Sequence, residues 1–317
     1  MDSGILTDMS VDEPGSEDFT EPEVRGVVVG FDGSPAADIA LLWGADAAEG
    51  YGLPLTILAA RPDAEAPVLD LEEELIEEII ELDLVEALEA AGERVRGTHP
   101  GLDVRTVIHP DSPVDGLLEA SKTAEMIVIG SRGLGGFQEL LLGSTAMEVT
   151  PYAECPVVVQ YVPDEAGIAA RADARHPDAV VVAFDGSSFA LRALMFAISY
   201  ADAMGLGVAI VYVSAGSRQR APIAVERDAE WLPFEVRQDF TLAAHVAATN
   251  PRVPVTYMHA VGRPAGVLIA EAAGAPLAVV GVRGRGGMAQ LMLGSVGLQM
   301  LLHAECPMAM VHGLPTE

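Results

Sequence analysis

Residues 130–144 read GSRGLGGFQELLLGS, and residues 281–295 read GVRGRGGMAQLMLGS. Each is Gly-x-x-Gly, nine residues, then Gly-Ser, and each follows a short apolar run, Met126–Ile129 or Ala278–Val280. A glycine-rich turn between a buried strand and a helix brings bare backbone N–H groups beside the positive end of a helix dipole. That combination suits an anion. Two copies imply two such sites in one chain.

The repetition extends outward from these motifs. Val27-Val28-Val29-Gly30-Phe31-Asp32-Gly33-Ser34 matches Val180-Val181-Val182-Ala183-Phe184-Asp185-Gly186-Ser187 at an offset of 153, and the glycine motifs match at 151. Over residues 130–160 against 281–311, 13 of 31 positions are identical, too many for chance, so the chain is an internal duplication. The organisation expected is an acidic disordered tail over 1–23, a first unit over 24–162, a linker over 163–177 and a second unit over 178–317.

Each unit alternates apolar strand and helix. In the first, the strands are Val27–Phe31, Leu55–Ala60, Val104–Ile108, Met126–Ile129 and Pro156–Tyr161. In the second they are Val180–Phe184, Val208–Val213, Val255–His259, Leu277–Val280 and Pro307–Val311. Ser34 with Pro35, and Asp111 or Ser112 with Pro113, read as helix starts. Strand–helix alternation with continuously apolar strands means an α/β fold whose parallel sheet is covered on both faces. Between strands two and three of the first unit, Leu71, Leu75, Ile79, Leu82 and Leu88 suggest a helical stripe, with glutamates opposite.

Composition narrows the classes. The net charge is −29, with residues 1–163 holding 33 acids and 7 bases while 164–317 hold 14 and 11. Two stretches without a base, 1–23 with eight acids and 70–89 with ten, supply much of the excess. Such a surface disfavours nucleic acid and anionic membranes. The acids avoid the glycine motifs: residues 280–300 contain Arg283 and Arg285 and no acid. No apolar run is long enough for a membrane span and no leader pattern opens the chain, so a cytoplasmic location is expected. Cys155 and Cys306 sit in equivalent Ala-Glu-Cys-Pro segments and read as buried packing residues, without metal-ligand spacing.

In an open parallel sheet ligands bind at the switch point between strands one and four. There the strand-one Asp faces the glycine turn, an arrangement able to hold a nucleotide, with Arg132 and Arg283 inside the turns. A P-loop G-x-x-x-x-G-K-[ST] is absent, as is a G-x-G-x-x-G after strand one. His109 and His259 end their third strands and read as packing or surface residues. Asp32 and Asp185 are conceivable bases, but no nucleophile partner accompanies them. The reading is one of holding rather than turnover.

With these motifs the chain resembles tandem members of the universal stress protein family, over about 24–162 and 178–313. The resemblance implies two tandem Rossmann-like domains, each a five-stranded parallel sheet of order 3-2-1-4-5 with helices on both faces. It also implies ATP binding. Asp32 and Asp185, with Gly33 and Gly186 beside them, take the adenine- and ribose-side place. Gly130, Gly133, Gly143 and Ser144, and Gly281, Gly284, Gly294 and Ser295, take the phosphate cradle. Thr145 and Val296 hold the next motif position, and Ala60 and Val213 pack on adenine. The first unit departs from the family at Asp111, where the second keeps Gly262, and at Ala60, smaller than the usual Val. Pairing through strand five is expected to join the halves, Val157–Tyr161 against Met308–Val311, within a homodimer. The function expected is a nucleotide-dependent stress regulator using ATP with Mg²⁺ or Mn²⁺ and acting on an unidentified protein partner. The alternatives are a slow ATPase or autokinase, a nucleotide hydrolase, or a module binding AMP or no nucleotide.

Overall fold

The computed structural model describes residues 25–60, 73–134, 142–216, 220–226, 229–285 and 293–312. The acidic segment 1–23 lies outside them, as do the centres of both glycine turns. The first unit runs β1 (Gly26–Gly30), α1 (Pro35–Tyr51), β2 (Leu55–Ala60), α2 (Glu73–Thr98), β3 (Val104–His109), α3 (Pro113–Ala120), β4 (Ala124–Gly130), α4 (Ser144–Tyr152) and β5 (Val157–Gln160). After α5 (Glu165–Ala172) the second runs β6 (Ala179–Ala183), α6 (Ser188–Met204), β7 (Gly207–Ala215), β8 (Arg220–Val225), α7 (Phe234–Ala247), β9 (Val255–Gly262), α8 (Pro264–Ala272), β10 (Ala278–Gly281), α9 (Ser295–His303) and β11 (Met308–Val311).

All eleven strands form one sheet, ordered β3-β2-β1-β4-β5-β11-β10-β6-β7-β9-β8. Within each unit the repeat order is 3-2-1-4-5, and every pairing is parallel except that of β8. The strands are buried on both faces: Val27, Val28, Val29 and Val157, Val158, Val159 are fully covered. One core layer collects side chains from α1, α2, α6 and α7, and the other from α3, α4, α8 and α9.

The halves meet at β5 and β11, which pair antiparallel with Val158 opposite Ala309. This is the strand-five pairing expected from the sequence. A reciprocal clasp flanks it. Tyr161 Oη donates to the Leu301 carbonyl in α9 at 2.5 Å, and His312 Nε2 donates to the Thr150 carbonyl in α4 at 2.7 Å. Both donors and both acceptors are related by the 151-residue offset of the motifs, so the duplication is also a two-fold relation in space. On the α1/α6 side, Trp43 stacks on Tyr200 with ring centroids 5.3 Å apart.

Three features go beyond the sequence reading. Strand β8 adds an antiparallel edge to the second unit, and its register shifts between Arg220 and Ile223. Pro222 lies in that shift, where an edge strand tolerates a missing N–H. The segment joining the units carries α5, capped by Asp164 on the Gly167 N–H. His176 Nε2 then contacts the buried Glu271 of α8 at 3.3 Å, and Arg175 also pairs with Glu271. Finally, the expected stripe on α2 is only partly a core face. Leu88 is buried with Ala91 and Val95 and Leu84 packs beside them, but Leu82 is 62% exposed. The side chains of Leu71, Leu75 and Ile79 lie outside the described residues.

Candidate functional site

Each site grows from the turn after the first strand of its unit. Ser34 caps α1 by accepting the Ala37 N–H at 3.2 Å, and Ser187 caps α6 by accepting from Ala190 at 3.1 Å. Gly33 and Gly186 turn the chain in the left-handed region, φ +78 and +75. Asp32 Oδ1 accepts the Ser34 N–H at 2.9 Å, and Asp185 Oδ1 accepts the Ser187 N–H at 3.0 Å. The Asp-Gly-Ser triplet is therefore a self-bonded turn that opens a helix.

The glycine turn reaches this corner through the second carboxylate oxygen. Asp32 Oδ2 accepts the Leu134 N–H at 3.0 Å, and Asp185 Oδ2 accepts the Arg285 N–H at 2.9 Å. Ser34 Oγ also reaches the Arg132 carbonyl at 3.3 Å. Sequence reasoning placed the aspartates beside a sugar and base. The geometry gives them a further task that it missed: each carboxylate ties the glycine turn to its first strand.

The glycines divide by purpose. A Cβ on Gly133 would collide with Asp32 Oδ2, and one on Gly284 would lie 2.6 Å from Asp185 Oδ2. These two keep the tether short. Gly130 and Gly281 serve packing: a Cβ there would lie 2.7 Å from Ala36 Cβ or Phe189 Cβ, at the start of the neighbouring helix. Gly143 and Gly294 close the turn, their N–H groups donating to Ser131 O and Val282 O at 2.7 Å. They are also the N-caps of α4 and α9, and neither helix has a side-chain cap. The N–H groups of Ser144 and Thr145, and of Ser295 and Val296, thus begin helices where no intrahelical acceptor exists. Of the expected donors, the closing glycines spend their N–H groups inside the turn, whereas these helix starts have no intrahelical acceptor.

In the second unit the parts converge on a cavity of about 320 Å³. Asp185, Val213, Gly281, Arg283, Gly284, Gly294, Ser295 and Val296 all line it, with Phe184, Pro264 and Leu268 giving an apolar wall. Gly186 lies outside the lining, at the turn behind Asp185. Arg283 sits 6.0 Å from the Phe189 ring centroid. In the first unit Ala60 ends β2, half-buried, while Arg132 and Ser144 are exposed and Thr145 is half-buried.

The other candidates are accounted for by packing. Burial pushes the Cys155 and Cys306 thiols up to about 12, so neither is a nucleophile at neutral pH. His109 accepts the Asp111 N–H at Nδ1 and faces Glu119 through Nε2 at 3.4 Å. His259 is buried, with Nε2 2.9 Å from Ser214 Oγ. Among the described residues no group of His, Cys, Asp or Glu is placed to hold a metal ion.

Two doubly wound units, each with an aspartate-tethered glycine turn at its switch point, define a class of tandem α/β proteins. The model of the universal stress protein family matches residues 23–160 and again 177–312, and the chain belongs to that family. It is 33% identical to a universal stress protein of Mycolicibacterium smegmatis over 299 residues, covering 90% of this chain and 96% of that one. It is 32% identical to one from Mycobacterium tuberculosis over 295 residues, covering 89% and 95%. In fold it resembles a universal stress protein of Archaeoglobus fulgidus, with a TM-score of 0.66, 20% identity, and 90% and 98% of the two chains covered.

Proposed function

We propose that the protein is a nucleotide-binding regulator of the stress response that takes ATP in its switch-point clefts. The observation that carries this is the second-unit cavity. It combines an apolar wall fit for a base with Arg283, Ser295 and an uncapped helix start fit for phosphates. Because no cluster among the described residues is placed for a cation, Mg²⁺ or Mn²⁺ would arrive on the phosphates and lower their charge against a chain of net charge −29. The bound nucleotide alters the surface around the glycine turn, and that surface is what a protein partner reads.

Holding is favoured over turnover because both carboxylate oxygens of Asp32 and Asp185 already accept backbone N–H groups. A carboxylate so engaged is a tether rather than a waiting base. The protein is accordingly read as cytoplasmic, with no described helix long and apolar enough to cross a membrane. Because β5 and β11 cover each other, a homodimer would use some other surface.

Calorimetry with Mg-ATP on the full chain and on Gly133→Ala/Gly284→Ala tests the reading. The added methyl groups strike the tethering carboxylates, so affinity falls by about tenfold or more while the fold persists. Equal binding by both proteins sinks the cradle. Steady multiple-turnover phosphate release would favour an ATPase instead.

A further inference from the structure

The two glycine turns differ at several positions, and one of them bears on how the turn is held. The residue after the motif's second glycine is Leu134 in the first unit and Arg285 in the second. Their backbones do the same thing, each donating to the tethering aspartate. Their side chains do not. Leu134 is 73% exposed. Arg285 Nη2 instead donates at 2.5 Å to Oδ1 of Asp239, a residue of α7 that is only 5% exposed. Asp239 Oδ2 is buried without a hydrogen-bond partner, and the carboxylate is compensated by the guanidinium of the half-exposed Arg285 together with a hydrogen bond from Tyr212. A carboxylate with so little water holds its cation firmly, because losing it would leave a bare buried charge.

The pair also fills the space over the second-unit turn. A Cβ at Gly186 would run into both Arg285 Nη2 and the Asp239 carboxylate, whereas one at Gly33 would meet nothing within 4 Å. Turn, glycine segment and α7 thus form one braced corner in the second unit. Among the described residues the first unit has the backbone tether and the Ser34 Oγ–Arg132 carbonyl bond, but no charged pair in the place of Arg285 and Asp239.

We propose that the Arg285–Asp239 pair positions the second glycine turn in its binding geometry, making that cleft the tight nucleotide site and the first cleft the weak one. The proposal rests on the nucleotide reading above. A ligand entering the second cleft meets a turn whose Arg285 is held by Asp239 as well as by its backbone, while one entering the first meets a turn without that charged brace, and the lesser preorganisation weakens affinity. The chain then fills in sequence as nucleotide rises, and it senses two concentration ranges.

Three versions of the full chain decide this: wild type, Arg285→Leu, and Asp239→Leu/Arg285→Leu, in which no buried charge is left alone. Mg-ATP calorimetry should resolve two classes of site in wild type, separated by about tenfold or more. In both variants the tight class weakens toward the other, and the weak class does not move. Amide hydrogen exchange without nucleotide supplies a second readout. The Arg285 N–H should exchange more slowly than that of Leu134 in wild type and lose this advantage in both variants. Equal wild-type affinities, or a tight class that survives both variants, overturn the proposal. Should no protein bind nucleotide, the nucleotide reading fails, and exchange alone judges the brace: equal rates at Arg285 and Leu134 remove it.

Discussion

Gly33 and Gly186 occupy the same turn with nearly the same left-handed backbone, yet they answer differently to a methyl group. At Gly33 alanine meets open space, so its cost is the left-handed penalty alone, about 1–2 kcal/mol. At Gly186 the same penalty is joined by collision with Arg285 and Asp239, and the cost rises to about 3 kcal/mol or more. Urea unfolding of Gly33→Ala and Gly186→Ala measures the difference; equal losses would mean that the brace gives way freely. The residue scale is also where the sequence was only half legible. Asp-Gly-Ser at a strand end announced a turn and a helix cap, and both aspartates lie where the motif put them. Their second bond, to the N–H of Leu134 or Arg285, spans about a hundred residues and leaves no local signature. The Asp239–Arg285 partnership was hidden for the same reason, since nothing in the α7 segment marks one acid as buried.

At the scale of elements, α4 and α9 each present a helix start to one cleft and a carbonyl to the other half of the molecule. The clasp on those carbonyls is chemically unequal. Tyr161 sits in one place and His312 in the other, and only the histidine changes charge near neutral pH. Burial pushes the His312 pKa below its ordinary 6.5. The backbone groups of Thr150 and Cys155 favour the imidazolium, but burial outweighs them. The sign follows from linkage: the unfolded chain takes up a proton near pH 6.5, while the folded chain resists until lower pH. The stability contributed by neutral His312 is therefore complete above about 6.5 and is lost as pH falls through its folded value. Thermal unfolding of wild type and His312→Gln between pH 8 and 5 should show a steeper acid loss in wild type, by about 1 kcal/mol for each unit of depression. Parallel profiles would place the acid sensitivity elsewhere. Strand and helix types were readable because continuous Val and Ile runs alternate with capped helices. Strand β8 was not, since Arg220, Pro222 and the register shift erase the apolar run that identifies a strand.

For the whole molecule, the decisive fact is that the duplication closed on itself. A five-stranded and a six-stranded sheet, each with a largely apolar strand at the seam, became one sheet of eleven described strands, with Val158 facing Ala309 where two exposed edges would otherwise invite aggregation. The identity of the seam was legible because β11 is apolar throughout and β5 is apolar but for Gln160, as an outer strand exposed to water would not be. The clasp was not legible, since a tyrosine and a histidine at equivalent positions give no hint of a shared target. Continuity of the sheet implies that the halves unfold together. Calorimetry of wild type should show one transition whose van't Hoff enthalpy approaches the measured enthalpy. Ala309 is fully buried in the seam, so Ala309→Asp places a carboxylate there without a partner, at a cost of about 3 kcal/mol or more. The shared transition should then fall in temperature and split, because the loss is confined to the strand that binds the two units into one. A variant that melts lower but still as a single transition would show that the α1–α6 contact around Trp43 and Tyr200 couples the halves without the seam.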